Sequence, residues 1–256
     1  GPQVGAVSGV VPMPGFTAPK VLWLSRHDPA AHARIAHILL PKDYIGLCLH
    51  GELVTDPSDA AGTSWFDQAG RCWSDDLCAI TATDPGWLPR VRNGTEVAGH
   101  VLPAIAADLG LMPGIPVATG AGDAAAGAVG IGAVAAGDGF ISLGTSGQLF
   151  VTTAQYCPNI ESRIHAYAHT VPGHWFQMAA MLNGARPIAW LAEVLGRPIP
   201  DLLAAAQTAE PGPIFLPYLT GERTPHGDAE IRGGFCGLGE NTTPGSLMRA
   251  VIEAVA

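Results

Sequence analysis

The residues with the clearest capacity for chemistry lie in two glycine-rich turns between Ile115 and Gly147. The first turn, Gly120-Ala121-Gly122, is followed at once by Asp123, whose carboxylate can accept a proton from a hydroxyl. The second turn, Gly144-Thr145-Ser146-Gly147, offers two side-chain hydroxyls and successive backbone N–H groups, which are donors that bind phosphate oxygens. We therefore expect Asp123 to face a substrate hydroxyl and Gly144–Gly147 to wrap the phosphates of a nucleotide.

The residues around the first turn are typical of a strand that leads into a helix. Pro113-Gly114 interrupts the chain, and the mainly apolar run from Ile115 to Val117 predicts a short buried strand. The glycines of the turn permit positive φ angles and leave room for a ligand. Asp123 then begins a helix of Ala, Gly, Val and Ile, whose free N–H groups point towards whatever lies above the strand ends.

Asp123 has two other interpretations on these residues alone. Asp is favoured as a helix N-cap, so its role could be structural. Gly120, Gly122 and Ala125 also fit the dinucleotide-binding fingerprint G-x-G-x-x-G/A after a strand. Asp123 argues against that fingerprint, because it would bring a carboxylate to the position of the pyrophosphate, where like charges repel.

The second turn lies between two apolar segments, Phe140–Ile141 and Leu149–Val151, that we expect to be strands. A simple hairpin without a ligand is the local alternative for Gly144–Gly147. No Lys follows the turn, so it is not a Walker loop.

A further glycine stands at the start of a predicted helix. Gly184 and Ala185 open an apolar-periodic segment that extends to Leu195. Free N–H groups at a helix start can approach a phosphate, so these two residues are candidates for nucleotide binding. An ordinary capped helix that packs Trp190 inside is the alternative.

Six blocks carry a resemblance that one block alone would not support. In chain order they are PGFTAPKVLWL, LLPKDY, SDAAGT, GAGDAAAGAVG, SLGTSG and FLPYLTGERTPH. Together they resemble the FGGY family of carbohydrate kinases and, within it, the xylulokinases. The blocks occur in the order of the family, which makes the resemblance specific.

The resemblance implies an α/β chain with an actin-like (ribonuclease H-like) ATPase fold, in which two lobes enclose a cleft. Residues 1–137 would belong to the N-terminal lobe, which carries the sugar side and the catalytic Asp123. Residues 138–256 would belong to the C-terminal, nucleotide-binding lobe. The small residues of Ala136-Gly-Asp-Gly139 mark the expected boundary.

The resemblance also implies an activity, the transfer of the ATP γ-phosphoryl group to a ketopentose with Mg²⁺. D-xylulose is the expected acceptor and D-xylulose 5-phosphate the product; ribulose, gluconate or glycerol are the alternatives within the family. Asp123 would be the general base and, with Ala124, contact the sugar, although xylulokinases commonly carry Asn where Ala124 stands. Gly144, Thr145, Ser146 and Gly147 would hold the β- and γ-phosphates.

Two family features have no counterpart in these residues. They are the N-terminal Asp-x-Gly-Thr phosphate loop with its metal-binding carboxylate and the C-terminal glycine run that binds adenosine. We therefore expect these residues by themselves to lack kinase activity, and a non-catalytic binding unit is a second hypothesis. No residue of the chain is assigned to a metal.

Three polar positions outside the two turns have local interpretations. Asp59, in a predicted loop at Ser58–Thr63, is expected to cap a helix. Glu222 and Arg223 are expected to form an ion pair. Ser246 is expected at a surface-facing helix start, after the N-cap Thr243.

Composition limits the partners of the chain. A net charge of −9 and the absence of a basic run argue against nucleic acid or an anionic membrane. The longest uncharged segment of small residues, Ala124 to Gly137, is too short and too rich in glycine to span a bilayer. Five cysteines without a CxxC pair are typical of reduced thiols in a cytoplasmic protein. A homodimer is left open.

Overall fold

The computed structural model describes residues 2–256 as a mixed α/β chain. Its α-helices are α1 Pro2–Ser8, α2 Thr17–His27, α3 Pro29–His32, α4 Pro41–His50, α5 Pro57–Ala60, α6 Asp75–Ile80, α7 Pro103–Leu109, α8 Asp123–Ile131, α9 Arg186–Leu195, α10 Ile199–Thr208 and α11 Pro244–Val255. Its strands are β1 Val54–Thr55, β2 Phe66–Asp67, β3 Cys72–Trp73, β4 Arg90–Val91, β5 Val97–His100, β6 Pro116–Ala118, β7 Gly139–Leu143, β8 Gly147–Thr153, β9 His165–Ala168, β10 Trp175–Met181, β11 Ile214–Leu216 and β12 Gly234–Cys236.

The chain divides into two compact units. The first contains the chain up to Phe140 together with residues 151–160 and 165–177, and the second contains residues 141–150, 161–164 and 178–256. A four-stranded sheet has the order β7-β8-β10-β9, and the remaining strands form two-stranded ladders. The division of the chain falls within β7, β8 and β10.

The first unit is built from short helices around small ladders. β1 pairs in parallel with β4, whereas β2 pairs antiparallel with β3 and β5 pairs antiparallel with β6. One core cluster joins Ala18 of α2, Trp65, and Leu77 of α6. The indole N–H of the fully buried Trp65 donates to Thr81 Oγ1 at 2.7 Å, which satisfies its polar group inside this core.

The second unit has its core between α9, α10, α11 and the β11–β12 ladder. Leu191, Leu202, Phe215, Met248 and Val251 form the centre of this cluster. Helix α11 begins with a capping box, in which Thr243 and Ser246 each accept the backbone N–H of the other. The predicted N-cap is confirmed, but Ser246 is buried and not surface-facing, because it packs against Gly212, where an added Cβ would lie 2.9 Å from the Cβ of Ser246.

Two local expectations in the first unit are wrong. The strand predicted as buried after Pro113-Gly114 is β6, in which Pro116 and Ala118 are exposed, because β6 has β5 as its single partner in a two-stranded ladder. The segment predicted as a loop at Ser58–Thr63 is helical: it forms the end of α5 and a 3₁₀ turn at Ala61–Thr63. Asp56 as N-cap and Pro57 at the first helical position account for α5.

Candidate functional site

Asp123 is the first residue of α8, and the N-cap position belongs to Gly122, with φ −61° and ψ 152°. The interpretation of Asp123 as the helix N-cap is therefore wrong. The Asp123 side chain is exposed, and its Oδ1 accepts the backbone N–H of Ala124 at 2.7 Å. A carboxylate at the first turn of a helix is favoured by the N-terminal end of the helix dipole and stays open to a ligand.

Helix α5 holds the turn in front of Asp123. The backbone N–H of Gly122 donates to Ser58 Oγ at 2.9 Å, and the Ser58 hydroxyl in turn donates to Oδ2 of Asp56. Asp56 is fully buried and caps α5 by accepting the N–H of Ser58 at 2.8 Å. A Cβ on Gly122 would lie 3.3 Å from the Cα of Asp59, so the two segments are in close contact.

Gly120 and Gly94 make the turn itself possible. Gly120 has a φ of +87° and donates its N–H to the carbonyl of Gly94 at 3.0 Å. A Cβ on Gly94 would lie 2.4 Å from the carbonyl oxygen of Gly120 and 2.2 Å from Thr170 Oγ1. The turn therefore needs glycine on both sides of this contact.

Three carboxylates behind this turn lie around the ammonium group of Lys42. Its ammonium group contacts the carboxylate of Asp43 and lies 3.2 Å from Asp56 and 3.8 Å from Asp59. It also donates to the carbonyl of Thr119 at 3.3 Å. Because Asp43 and Asp56 are buried, a nearby cation offsets the cost of removing their charges from water.

The pKa values of Lys42 and Asp59 reflect this arrangement. Burial lowers the pKa of Lys42, but its hydrogen bond to Asp43 and the neighbouring carboxylates outweigh burial, so the pKa is raised. Burial raises the pKa of Asp59 to about 6; Lys42 opposes the shift, and nearby carboxylates, Asp123 among them, add to it. The expected helix cap at Asp59 is wrong, because Asp56 caps α5.

The second turn connects the neighbouring strands β7 and β8. The N–H of Gly144 donates to the carbonyl of Ser146 at 3.0 Å, and Thr145 and Ser146 are exposed. The strands predicted on either side of the turn are confirmed. Exposed hydroxyls on a short turn are free to meet a ligand from solvent.

Gly184 and Ala185 pack directly against this turn. The N–H of Gly184 donates to Thr145 O at 3.0 Å, and the N–H of Ala185 donates to Gly144 O at 2.7 Å. A Cβ on Gly184 would lie 2.5 Å from the carbonyl carbon of Ser146. The structure thus brings the predicted nucleotide-binding residues together. The N–H groups of Gly184 and Ala185 form hydrogen bonds to the turn and support it.

The comparison with known proteins decides the family. Residues 1–130 match the N-terminal domain of the FGGY family of carbohydrate kinases, and residues 139–256 match its C-terminal domain. The chain belongs to the FGGY family of carbohydrate kinases. It is 44% identical over 258 residues to the xylulose kinase of Escherichia coli strain K12, a match that covers 99% of the chain and 53% of that relative. The chain spans about half the length of the curated relatives it matches.

Solved structures agree with this FGGY assignment. The crystal structure of a xyloylose kinase from Brucella ovis has a TM-score of 0.95 and 44% identity, and the match covers 99% of this chain and 53% of that protein. A gluconate kinase from Lactobacillus acidophilus has a TM-score of 0.92 and 29% identity, and the match likewise covers 99% and 53%. The predicted actin-like α/β fold is confirmed.

The dinucleotide-binding interpretation of Gly120, Gly122 and Ala125 fails in this FGGY chain. That fingerprint needs a strand of a parallel sheet before the glycines, whereas β6 pairs antiparallel with β5. The six blocks quoted from the sequence instead belong to a sugar kinase family.

The predicted site residues of this FGGY chain fall into two groups. Asp123 and Ala124 lie in the first unit, whereas Gly144–Gly147, Gly184 and Ala185 lie in the second. The part of the chain that the structure describes contains no group of three or more His, Cys, Asp or Glu side chains that could hold a metal ion. Nor does that part contain a helix long and apolar enough to cross a membrane.

Sequence reasoning missed the side chains that hold the two turns. Lys42 and Ser58 lie inside the blocks LLPKDY and SDAAGT, which carried the resemblance, but neither residue had an assigned role. The expected ion pair of Glu222 with Arg223 is wrong: among the described residues no salt bridge joins these side chains, and Glu222 Oε1 accepts the backbone N–H of Arg223 at 2.7 Å. A polar residue inside a family block is the signal that could have pointed to each of them.

Proposed function

We propose that this chain forms the sugar- and phosphate-contacting part of an ATP-dependent ketopentose kinase that converts D-xylulose to D-xylulose 5-phosphate. The observation that carries the proposal is the exposed Asp123 carboxylate at the start of α8, held through Gly122 by Ser58. The relative from Escherichia coli, 44% identical, is a xylulose kinase.

In the proposed reaction Asp123 acts as the general base. Its carboxylate accepts the proton of the sugar hydroxyl as that oxygen forms a bond to the γ-phosphorus, and the bond from this phosphorus to the leaving oxygen of ADP breaks. Phosphoryl transfer asks for positioning and charge stabilisation more than for covalent work. A base fixed by the backbone of α8 meets that need, since a misplaced base loses much of its effect.

The turn at Gly144–Gly147 would bind the β- and γ-phosphates. The exposed hydroxyls of Thr145 and Ser146 are the side-chain donors, and Gly184 and Ala185 contribute by supporting the turn. Glycine at position 184 is required by the close packing against Ser146, which leaves no space for a Cβ. Residues 1–137 would form the sugar side and residues 138–256 the nucleotide side.

Mg²⁺ enters the proposal only as the ion that accompanies ATP. The described residues contain no group of three or more His, Cys, Asp or Glu side chains that could hold a metal ion, and Lys42 already balances the carboxylates behind Asp123. We therefore assign no residue of this chain to Mg²⁺ and route no step through it.

A gluconate kinase or a kinase for another sugar or polyol is the second candidate. Ala124 stands next to Asp123 where xylulokinases commonly have Asn, so one sugar contact differs. The similarity to the gluconate kinase from Lactobacillus acidophilus agrees with this alternative. In either case the partners would be a small sugar and ATP in the cytoplasm, with neither nucleic acid nor a membrane involved.

A panel of acceptors tests the proposal. The full-length protein that contains this chain is assayed for ADP release with ATP, Mg²⁺ and D-xylulose, D-ribulose, gluconate or glycerol. We expect the highest kcat/KM with D-xylulose. A higher kcat/KM with gluconate would favour the second candidate, and no ADP release with any acceptor would favour a non-catalytic binding unit.

A further inference from the structure

We propose that Glu222 is a positioning residue for the turn at Gly144–Gly147, and that it acts through the segment 182–185. The inference rests on the proposed nucleotide role of that turn. Glu222 lies in the block FLPYLTGERTPH, which supplies neither the base nor the phosphate turn. Only 4% of the residue is exposed, so its charge needs partners inside the protein.

The carboxylate of Glu222 is held by N–H donors. Its Oε1 accepts the backbone N–H groups of Leu182 and Arg223, each at 2.7 Å. Its Oε2 lies 3.4 Å from Nδ2 of Asn183, which also donates to the carbonyl of Gly221 at 3.0 Å. Within residues 2–256 Glu222 forms no salt bridge. These donors, and not a cation, therefore stabilise the buried charge.

The block that contains Glu222 is hydrogen-bonded to the end of β10. Two hydrogen bonds pair Thr224 with Ala180: the N–H of Ala180 donates to Thr224 Oγ1 at 3.2 Å, and the N–H of Thr224 donates to Ala180 O at 3.3 Å. Glu222 continues this pairing at Leu182, one residue beyond the end of β10 at Met181. Hydrogen bonding thus extends from the strand to the residue before Gly184.

Segment 182–185 is packed tightly against the turn at Gly144–Gly147. Gly184 and Ala185 donate their N–H groups to the carbonyls of Thr145 and Gly144, and Gly184 has no room even for a Cβ against Ser146. A displacement of Leu182 and Asn183 must therefore shift the turn. Glu222 would set the position of the phosphate donors without touching the nucleotide.

Two variants of Glu222 separate the effect of side-chain length from the effect of charge. Glu222→Gln removes the charge but keeps the side-chain length and an oxygen that can accept both backbone N–H groups. Glu222→Asp keeps the charge but shortens the side chain by one methylene. A positioning role predicts that Glu222→Asp is impaired and Glu222→Gln is not, whereas a role for the charge predicts the reverse.

The variants are measured in the full-length protein by steady-state kinetics and by hydrogen exchange without ATP. For Glu222→Asp we expect KM for ATP to rise about ten-fold, KM for D-xylulose to change less than about two-fold, and exchange to accelerate in peptides covering 144–147 and 182–185. Glu222→Gln should stay within about two-fold of the wild type, because it keeps both backbone hydrogen bonds and loses only the long contact of Oε2 with Asn183 Nδ2 at 3.4 Å. Glu230→Asp is the control, because that carboxylate is 89% exposed and pairs with Arg232 at 3.7 Å.

Each contrary result overturns a different claim: the positioning role of Glu222, the phosphate role of the turn or the proposed function. Unchanged exchange in Glu222→Asp, or equal impairment in Glu222→Gln, would overturn the positioning role. Accelerated exchange with an unchanged KM for ATP would contradict the phosphate role of Gly144–Gly147. A wild-type protein without kinase activity would refute the proposed function, and the exchange comparison would still decide whether Glu222 holds the turn.

Discussion

The hydroxyl oxygen of Ser58 accepts the backbone N–H of Gly122 at 2.9 Å, across 64 residues of sequence. Ser58 also donates to Asp56, which is fully buried and lies 3.2 Å from the ammonium group of Lys42. The residue before Asp123 is thus tied to the charged interior of the first unit. The Asp123 side chain is exposed, but the backbone just before it is fixed by the hydrogen bond of Gly122 to Ser58.

Replacement of Ser58 by Ala tests this support. The change removes the acceptor of the half-buried Gly122 N–H and a donor to the buried Asp56. We expect kcat with D-xylulose to fall about ten-fold, because the base is less well placed, while KM for ATP stays unchanged. Stability should fall by about 1–3 kcal/mol, as measured by urea unfolding. Ser25→Ala, which removes a hydroxyl that donates to Leu22 O, should leave kcat unaltered.

Replacement of Asp123 by Asn tests the base. The amide keeps the size of the side chain but cannot accept the proton, so we expect kcat to fall by roughly 10²–10⁴-fold. The affinity for ATP, measured by calorimetry, and the circular dichroism spectrum should not change. Wild-type turnover in the folded variant would rule out Asp123 as the base. The control is Asp108→Asn, at an exposed position in α7.

Replacement of Thr145 by Val tests the phosphate turn. Valine nearly keeps the volume but removes the hydroxyl, and a hydrogen bond to a charged group contributes about 1.5–3 kcal/mol. We therefore expect KM for ATP to rise by about 10- to 100-fold with little change in KM for D-xylulose. Thr153→Val, at the other end of β8, removes a hydroxyl that donates to Gln155 O and serves as the control. Normal ATP kinetics in Thr145→Val would leave the turn a simple hairpin.

The raised pKa of Asp59 predicts a dependence of stability on pH. Because burial raises this pKa from 3.8 to about 6, the folded chain binds more protons than the unfolded chain between these values. The contribution of Asp59 to stability is then full below about pH 4 and declines as pH rises through 6. Asp59→Asn, which stays neutral, should be more stable than the wild type at pH 7.5 by about 1–2 kcal/mol, after allowance for solvent screening.

Urea unfolding at pH 4, 5, 6 and 7.5 measures this difference. The difference between the two proteins should shrink towards the lowest pH, where Asp59 is protonated in the folded state and partly protonated in the unfolded state. An equal difference at every pH would show that the charge of Asp59 is not its cause. Asp108→Asn is again the matched control, since it removes an exposed carboxylate.

The family and many of the local elements were determined by the sequence alone. The N-cap Thr243 and the end of a helix at Leu195 agree with the predictions from the sequence. Such signals act within one helical turn, because a cap or a fixed φ angle affects only its immediate neighbours. The family blocks identified the two turns for the same reason, since each is a short run of consecutive residues.

The contacts that hold those turns were decided only by the tertiary structure. Asp56, and not Asp59, caps α5 and receives Ser58, and Glu222 binds the backbone at Leu182 instead of the side chain of Arg223. The pair Asp56-Pro57 is a local signal for a helix start, but no local signal predicts that Asp56 also receives Ser58 or that Glu222 reaches Leu182. Their roles depend on which N–H groups and which cation lie within hydrogen-bond distance after folding, and in the case of Ser58 and Gly122 the partners are 64 residues apart.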